Sequence, residues 1–254
     1  MKQYQLFLID LDGTIYRGKD TIESGVNFVK RLQEKRLDYI FLTNNTTRTP
    51  QMVVEKLAGH GINTDIQHIY TPCMATSSYI LSERKSAKVY IIGQIGLWNE
   101  LLSHPEISFD DQNPDYVVVG MDTDLTYHKI RTAVRHIRNG AKFIGTNSDL
   151  NLPSGDELLP GNGSICKMIE VASGQKPLFI GKPSNIIVEK LLEKTSYHKQ
   201  DCLIVGDNYL TDIHAGFNSG VDSLLTLTGV NKREDIIDKR QPSYIVNNLD
   251  EFEL

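Results

Sequence analysis

The first apolar run, Gln5-Leu6-Phe7-Leu8-Ile9, is apolar at consecutive rather than alternate positions and stops at Asp10. Such a short run suits a strand buried on both faces of a parallel sheet. From Ser24 to Arg36 the residues Val26, Val29 and Leu32 recur at helical spacing, with Ser24 as the expected N-cap and basic residues at the far end. Tyr39-Ile40-Phe41-Leu42 repeats the buried-strand pattern and closes at Thr43-Asn44-Asn45. Strand, helix and strand over about 40 residues make a βαβ unit. Thr49-Pro50 and Thr71-Pro72 each open a further helix, the first stopping near Gly59 and Gly61 and the second near Ser82.

A second block follows. Lys88 to Gly93, Tyr116 to Gly120 and Lys142 to Gly145 read as strands, with a helix from Tyr127 to Asn139 and another from Ser164 to Ser173 after a stretch rich in Gly and Pro. The first rhythm then resumes: strand Leu178 to Ile180, helix Ser184 to Lys194, strand Cys202 to Val205, helix Ile213 to Asn218 and strand Ser223 to Leu227. The pattern predicts an α/β protein with a Rossmann-like parallel-sheet core over 1–83 and 177–254, and a smaller α/β domain inserted over 84–176.

Composition narrows the classes. At 40% apolar and 23% charged over 254 residues, the chain is neither disordered nor fibrous. Cys73, Cys166 and Cys202 are odd in number and fit no metal-knuckle spacing, so reduced thiols and a cytoplasmic location are expected. The opening apolar run is too short for a signal peptide, and no later run approaches the roughly 20 residues of a membrane span. A formal charge of -5 gives no overall attraction for nucleic acid or anionic lipid. An anionic substrate must therefore be met by a local device.

Four strand ends supply candidates for one. They are Asp10-Leu11-Asp12-Gly13-Thr14, Thr43-Asn44, Gly181-Lys182-Pro183, and Gly206-Asp207 with Asp212 after it. Each alone reads as a polar turn, a cap or a solvated charge. In open α/β sheets, however, the ligand crevice lies beyond the carboxyl ends of the strands, where all four would fall together. If Asp10, Asp12, Asp207 and Asp212 converge, each pair about 4 Å apart repels by on the order of 4 kcal/mol at an effective dielectric near 20. Such a cluster needs a cation or protons. With no His or Cys in the set, the hard oxygen ligands favour Mg²⁺. Lys182, Thr43 and Asn44 are suited to a dianionic phosphoryl group, and the whole specifies phosphoryl transfer through an aspartyl-phosphate.

These motifs resemble the haloacid dehalogenase superfamily of phosphohydrolases, in order along the chain. Only 33 residues separate Asp10 from Thr43, against 139 between Thr43 and Lys182, which resembles the NagD-like and p-nitrophenyl-phosphatase-like subgroup with an α/β cap at the second position. Thr146-Asn147-Ser148-Asp149 and Pro160-Gly161-Asn162-Gly163-Ser164 are similar to segments of that subgroup. The resemblance implies a Mg²⁺-dependent phosphatase of small phosphate monoesters: a nucleotide, sugar or sugar-acid phosphate. Asp10 would be nucleophile and metal ligand, and Asp12 general acid and base with its backbone carbonyl on the metal. Asp207 would be a further metal ligand and Asp212 a brace for Asp207 or Lys182. Thr43, Asn44 and Lys182 would hold phosphate, Asn208 would contact substrate, and Asn147 and Asp149 would reach the leaving group from the cap. Relatives also imply a homodimer formed through the cap.

Other readings fit less well. The chain has no P-loop, dinucleotide fingerprint, nucleophile elbow or His-Glu-x-x-His pair, and Trp98 near Leu97 and Leu101 reads as packing. A receiver-like phospho-acceptor switch would use a similar aspartate, Thr and Lys, but it needs neither a cap nor an acid such as Asp12. A phosphotransferase shares the chemistry and stays open as the alternative.

Overall fold

The computed structural model describes residues 2–154 and 157–254 and divides into two compact units. One holds the chain up to Thr43, Pro50–Tyr70 and Lys182–Leu254; the other holds Asn44–Thr49 and Thr71–Gly181.

Six parallel strands form the sheet of the first unit, in the order Tyr244–Val246, Asp222–Thr226, Cys202–Gly206, Leu6–Ile9, Asp38–Leu42, Ile69–Tyr70. Leu6–Ile9 is central and wholly buried. Its unbroken apolar pattern follows from having both faces covered. Phe7 and Ile9 join a core with Phe28, Val29, Leu32 and Leu57, while Leu6 and Leu8 alternate to the other face and are equally buried. Helix Glu23–Lys35 is capped at Ile22 rather than at Ser24, which lies inside its first turn. Packing sets that start: a Cβ on Gly25 would stand 2.2 Å from the Thr14 carbonyl oxygen, so only glycine lets the helix meet the Thr14–Ile15 backbone.

The second unit has its own parallel sheet, ordered Leu178–Phe179, Lys142–Gly145, Tyr116–Val119, Ala87–Ile92, Ile107–Phe109. Val117, Val119, Phe143 and Ile169 are among its core residues. Two expectations are corrected here. The run at 178–180, expected in the core sheet, pairs with Lys142–Gly145 instead, because Gly145 leaves room for the Phe179 ring, which a Cβ would meet at 2.5 Å. Helix Pro72–Glu83, placed by the pattern within 1–83, belongs to the second unit, where it packs on helix Ile95–Leu102 and Ser77 donates to Glu100 Oε1 at 2.7 Å. The inserted unit is thus larger than 84–176. Trp98 lies on helix Ile95–Leu102, half-buried, with its indole N–H on the Gly93 carbonyl. The stretch rich in Gly and Pro includes an antiparallel pair, Asn151–Ser154 with Glu157–Pro160. Among the described residues no helix is long and apolar enough to cross a membrane.

Candidate active site

Asp10 follows strand Leu6–Ile9 and Asp207 follows strand Cys202–Gly206, so two neighbouring parallel strands deliver carboxylates at the same end of the sheet. Asp212 arrives by a π-helical turn, Tyr209–Ile213. Its backbone N–H donates to the Asn208 carbonyl at 2.9 Å, and its Oδ2 accepts the Asn208 N–H at 3.0 Å. A Cβ on Gly206 would lie 2.3 Å from the Asp212 carboxyl carbon, so a glycine there is what admits that carboxylate. One oxygen each from Asp10, Asp207 and Asp212 falls within 4.8 Å of the other two. Lys182, 2% exposed, reaches into the cluster, its Nζ 2.5 Å from Asp10 Oδ1, 2.7 Å from Asp212 Oδ1 and 2.6 Å from the Leu42 carbonyl.

The electrostatics show a deficit of positive charge. Burial pushes the Asp10 carboxyl well above the usual range; Lys182 pulls it down, and Asp212 and Asp207 push it up. Asp207 is raised to about 7, by burial first and by Asp212 next. Burial opposes charge on Lys182 too, but Asp10 and Asp212 outweigh it and the lysine pKa rises. One ammonium cannot balance three buried carboxylates. An all-oxygen donor set of this kind fits a hard divalent cation, so Asp10, Asp207 and Asp212 are suited to hold or brace one.

Comparison with known proteins agrees. Residues 7–104 match the profile of haloacid dehalogenase-like hydrolases, and 179–252 match a HAD-hydrolase-like profile. The 5'-nucleotidase YutF of Bacillus subtilis is 42% identical over 253 residues, covering 99% of this chain and 98% of that one. An acid sugar phosphatase of Staphylococcus aureus is 41% identical over 252 residues, covering 99% and 97%. A thermostable NPPase variant from Geobacillus stearothermophilus superposes with a TM-score of 0.94 at 42% identity, over 100% of this chain and 99% of that one. A 4-nitrophenylphosphatase from Thermotoga maritima gives 0.90 at 32% identity, over 97% and 95%. The chain belongs to the haloacid dehalogenase-like hydrolases. It is a phosphatase, consistent with the NagD-like branch.

Not every candidate of this hydrolase lies where the motifs suggest. The expected cluster of four carboxylates has three members among the described residues, because Asp12 is exposed and outside it. The tight turn in which the Gly13 N–H donates to the Tyr16 carbonyl buries Leu11 and leaves Asp12 at the surface. Thr43 is buried just beyond strand Asp38–Leu42, whose last carbonyl holds Lys182. The Asn208 side chain accepts the Leu210 N–H at 3.0 Å and so caps the π turn.

Within the second unit, Asn44, Asn147 and Asp149 form one network. Asn44 Nδ2 donates to both Asp149 oxygens at 3.1 and 3.3 Å, and Asn147 Nδ2 donates to the Asn44 carbonyl at 2.8 Å. Asn162 fixes the turn beneath them, donating to the Asn147 and Val119 carbonyls at 2.9 and 3.2 Å. Asn147 and Asp149, expected to face a leaving group, thus hold Asn44.

Residues that pattern reasoning missed lie around Asp207. Its Oδ2 accepts the Val230 N–H at 2.7 Å, and Thr14 Oγ1 donates to its Oδ1 at 3.5 Å. The available signal was Thr228-Gly229, one residue past the strand at Asp222–Thr226, a glycine at the same end of the sheet as the other strand ends.

Proposed function

We propose that this enzyme is a Mg²⁺-dependent phosphatase of small organic phosphate monoesters that works through an aspartyl-phosphate on Asp10. The observation carrying the reading is the buried contact of Asp10 with Lys182 beside Asp207 and Asp212. Asp10 attacks phosphorus, the ester P–O bond breaks, and Asp12 gives its proton to the departing alkoxide. Asp12 then takes a proton from water, which attacks the phosphoaspartate, releasing phosphate and restoring Asp10. The exposure of Asp12 supports this double role, since it can exchange protons with solvent. Lys182, Thr43 and Asn44 hold phosphoryl oxygens, with Asp149 and Asn147 keeping Asn44 in place. Asp10, Asp207 and the Asp12 carbonyl, with Asp212 behind them, would hold Mg²⁺, which when bound would supply charge neutralisation for attack on the dianion.

The names of the relatives support a nucleotide, a sugar phosphate or a sugar-acid phosphate as substrate. Three buried free thiols support a cytoplasmic location, and the net charge of -5 argues against nucleic acid as partner. The chain over 84–176 is assigned to substrate choice, because the groups that make and break bonds lie outside it.

The test is Asp12→Asn assayed on a sugar phosphate and on nitrophenyl phosphate, with and without exhaustive chelation. Chelation is expected to stop turnover. The substitution should cost about 10²- to 10⁴-fold on the sugar phosphate and much less on the aryl ester, whose leaving group needs no proton. Equal losses on both esters, or full turnover in chelator, would contradict the mechanism.

A further inference from the structure

Asp207 is enclosed by backbone. A Cβ on Gly229 would stand 1.9 Å from its Oδ2, and one on Gly13 would stand 2.3 Å from the same atom, so two loops close on the carboxylate where no side chain fits. The Val230 N–H, next along the chain from Gly229, engages Oδ2 at 2.7 Å, while Oδ1 has the long 3.5 Å contact with Thr14 Oγ1. The loop carrying these groups is itself tied down. Thr228 Oγ1 donates to the Gly13 carbonyl at 2.8 Å, and Arg17 donates to the Thr228 carbonyl. Asn231 Oδ1 accepts the N–H of buried Tyr209 at 2.7 Å, joining the loop to the π turn two residues beyond Asp207.

We propose that the loop 228–231 is the positioning element of the metal site, with Gly229 and the Val230 amide aiming the Asp207 carboxylate and Asn231 latching the loop in place. This rests on the reading of Asp207 as a ligand to the divalent cation. A carboxylate free to rotate about its side-chain bonds would lose its aim, and removing a group that orients a metal ligand typically costs about 10- to 100-fold in affinity. The loop touches no substrate group in this assignment. Its effect is on metal affinity.

The experiment is calorimetric titration of the purified full chain with Mg²⁺, with the thermal midpoint in chelator recorded for each variant. Gly229→Ala is expected to raise the Mg²⁺ dissociation constant about 10- to 100-fold, and Asn231→Ala about 10-fold. Asn231→Gln keeps the amide oxygen for the Tyr209 N–H and the amide donor that serves Asp235, adds no charge, and should recover most of the wild-type affinity. That rescue separates aiming from a general loss of stability, which would lower the midpoint and leave affinity alone. If Gly229→Ala does not fold, the two Asn231 variants decide. Asp207→Asn marks the underlying reading: undiminished Mg²⁺ affinity in that variant overturns the metal assignment itself. If Asp207→Asn abolishes binding while Asn231→Ala binds as the wild type does, the metal assignment stands and the loop proposal is wrong.

Discussion

Asp10→Asn is expected to lower kcat by at least about 10⁴-fold on every phosphate ester while leaving the fold intact. An amide has nearly the shape of the carboxylate, and its oxygen can still accept the Lys182 ammonium now 2.5 Å from Oδ1. It is not a nucleophile, so no covalent bond to phosphorus can form. Stability should not suffer, because burial works against a charge at this position. In chelator the thermal midpoint of the variant should equal or exceed that of the wild type. Rapid acid quench followed by mass spectrometry should find covalent phosphate on the wild type alone. Turnover within about tenfold of wild type would remove Asp10 from the nucleophile role.

Lys182→Met carries the largest expected loss of stability. The lysine is the ammonium between Asp10 and Asp212, buried with both. Removing one partner from such a group leaves uncompensated carboxylates, a change that costs about 3–5 kcal/mol. Lys182 also pulls the Asp10 and Asp207 carboxyls down, so without it both rise further above their unfolded values. A carboxyl raised in the folded state stabilises the protein below its unfolded pKa, and that contribution is lost as pH climbs through the folded pKa. With Asp207 already at about 7, the window runs from mildly acidic to neutral pH. In chelator, denaturant unfolding should therefore show a larger deficit for Lys182→Met at pH 8 than at pH 5. Equal deficits at both would mean that the lysine stabilises by packing rather than by charge.

Periodicity and strand-end chemistry make much of this arrangement readable in the sequence. Buried strands such as Leu6–Ile9 and Tyr116–Val119 announce themselves through unbroken apolar runs. Short elements did not: Ile69–Tyr70 has two residues and Ile107–Phe109 three, too few for a period to register. The strand at Leu178–Phe179 was visible as a strand, but its sheet was not, because pairing depends on the missing side chain at Gly145. Around the site, Asp10, Asp207 and Lys182 were legible from residue type and spacing. The separation of Asp12 from the cluster depends on a turn whose direction no spacing encodes. The amide of Asn44 is legible as a donor, while its hold by Asp149 joins residues 105 apart.

The central strand Leu6–Ile9 has one neighbour near it in sequence, Asp38–Leu42, and another, Cys202–Gly206, almost 200 residues away. The second unit is nearly contiguous, its sheet drawn from Ala87 to Phe179. On a chain emerging from the ribosome, residues 71–181 can close their sheet while the amino-terminal strand still lacks half its hydrogen bonds. Asp10, made long before them, thus stays without its lysine until residue 182 and without its companion carboxylates until residues 207–212 are synthesised.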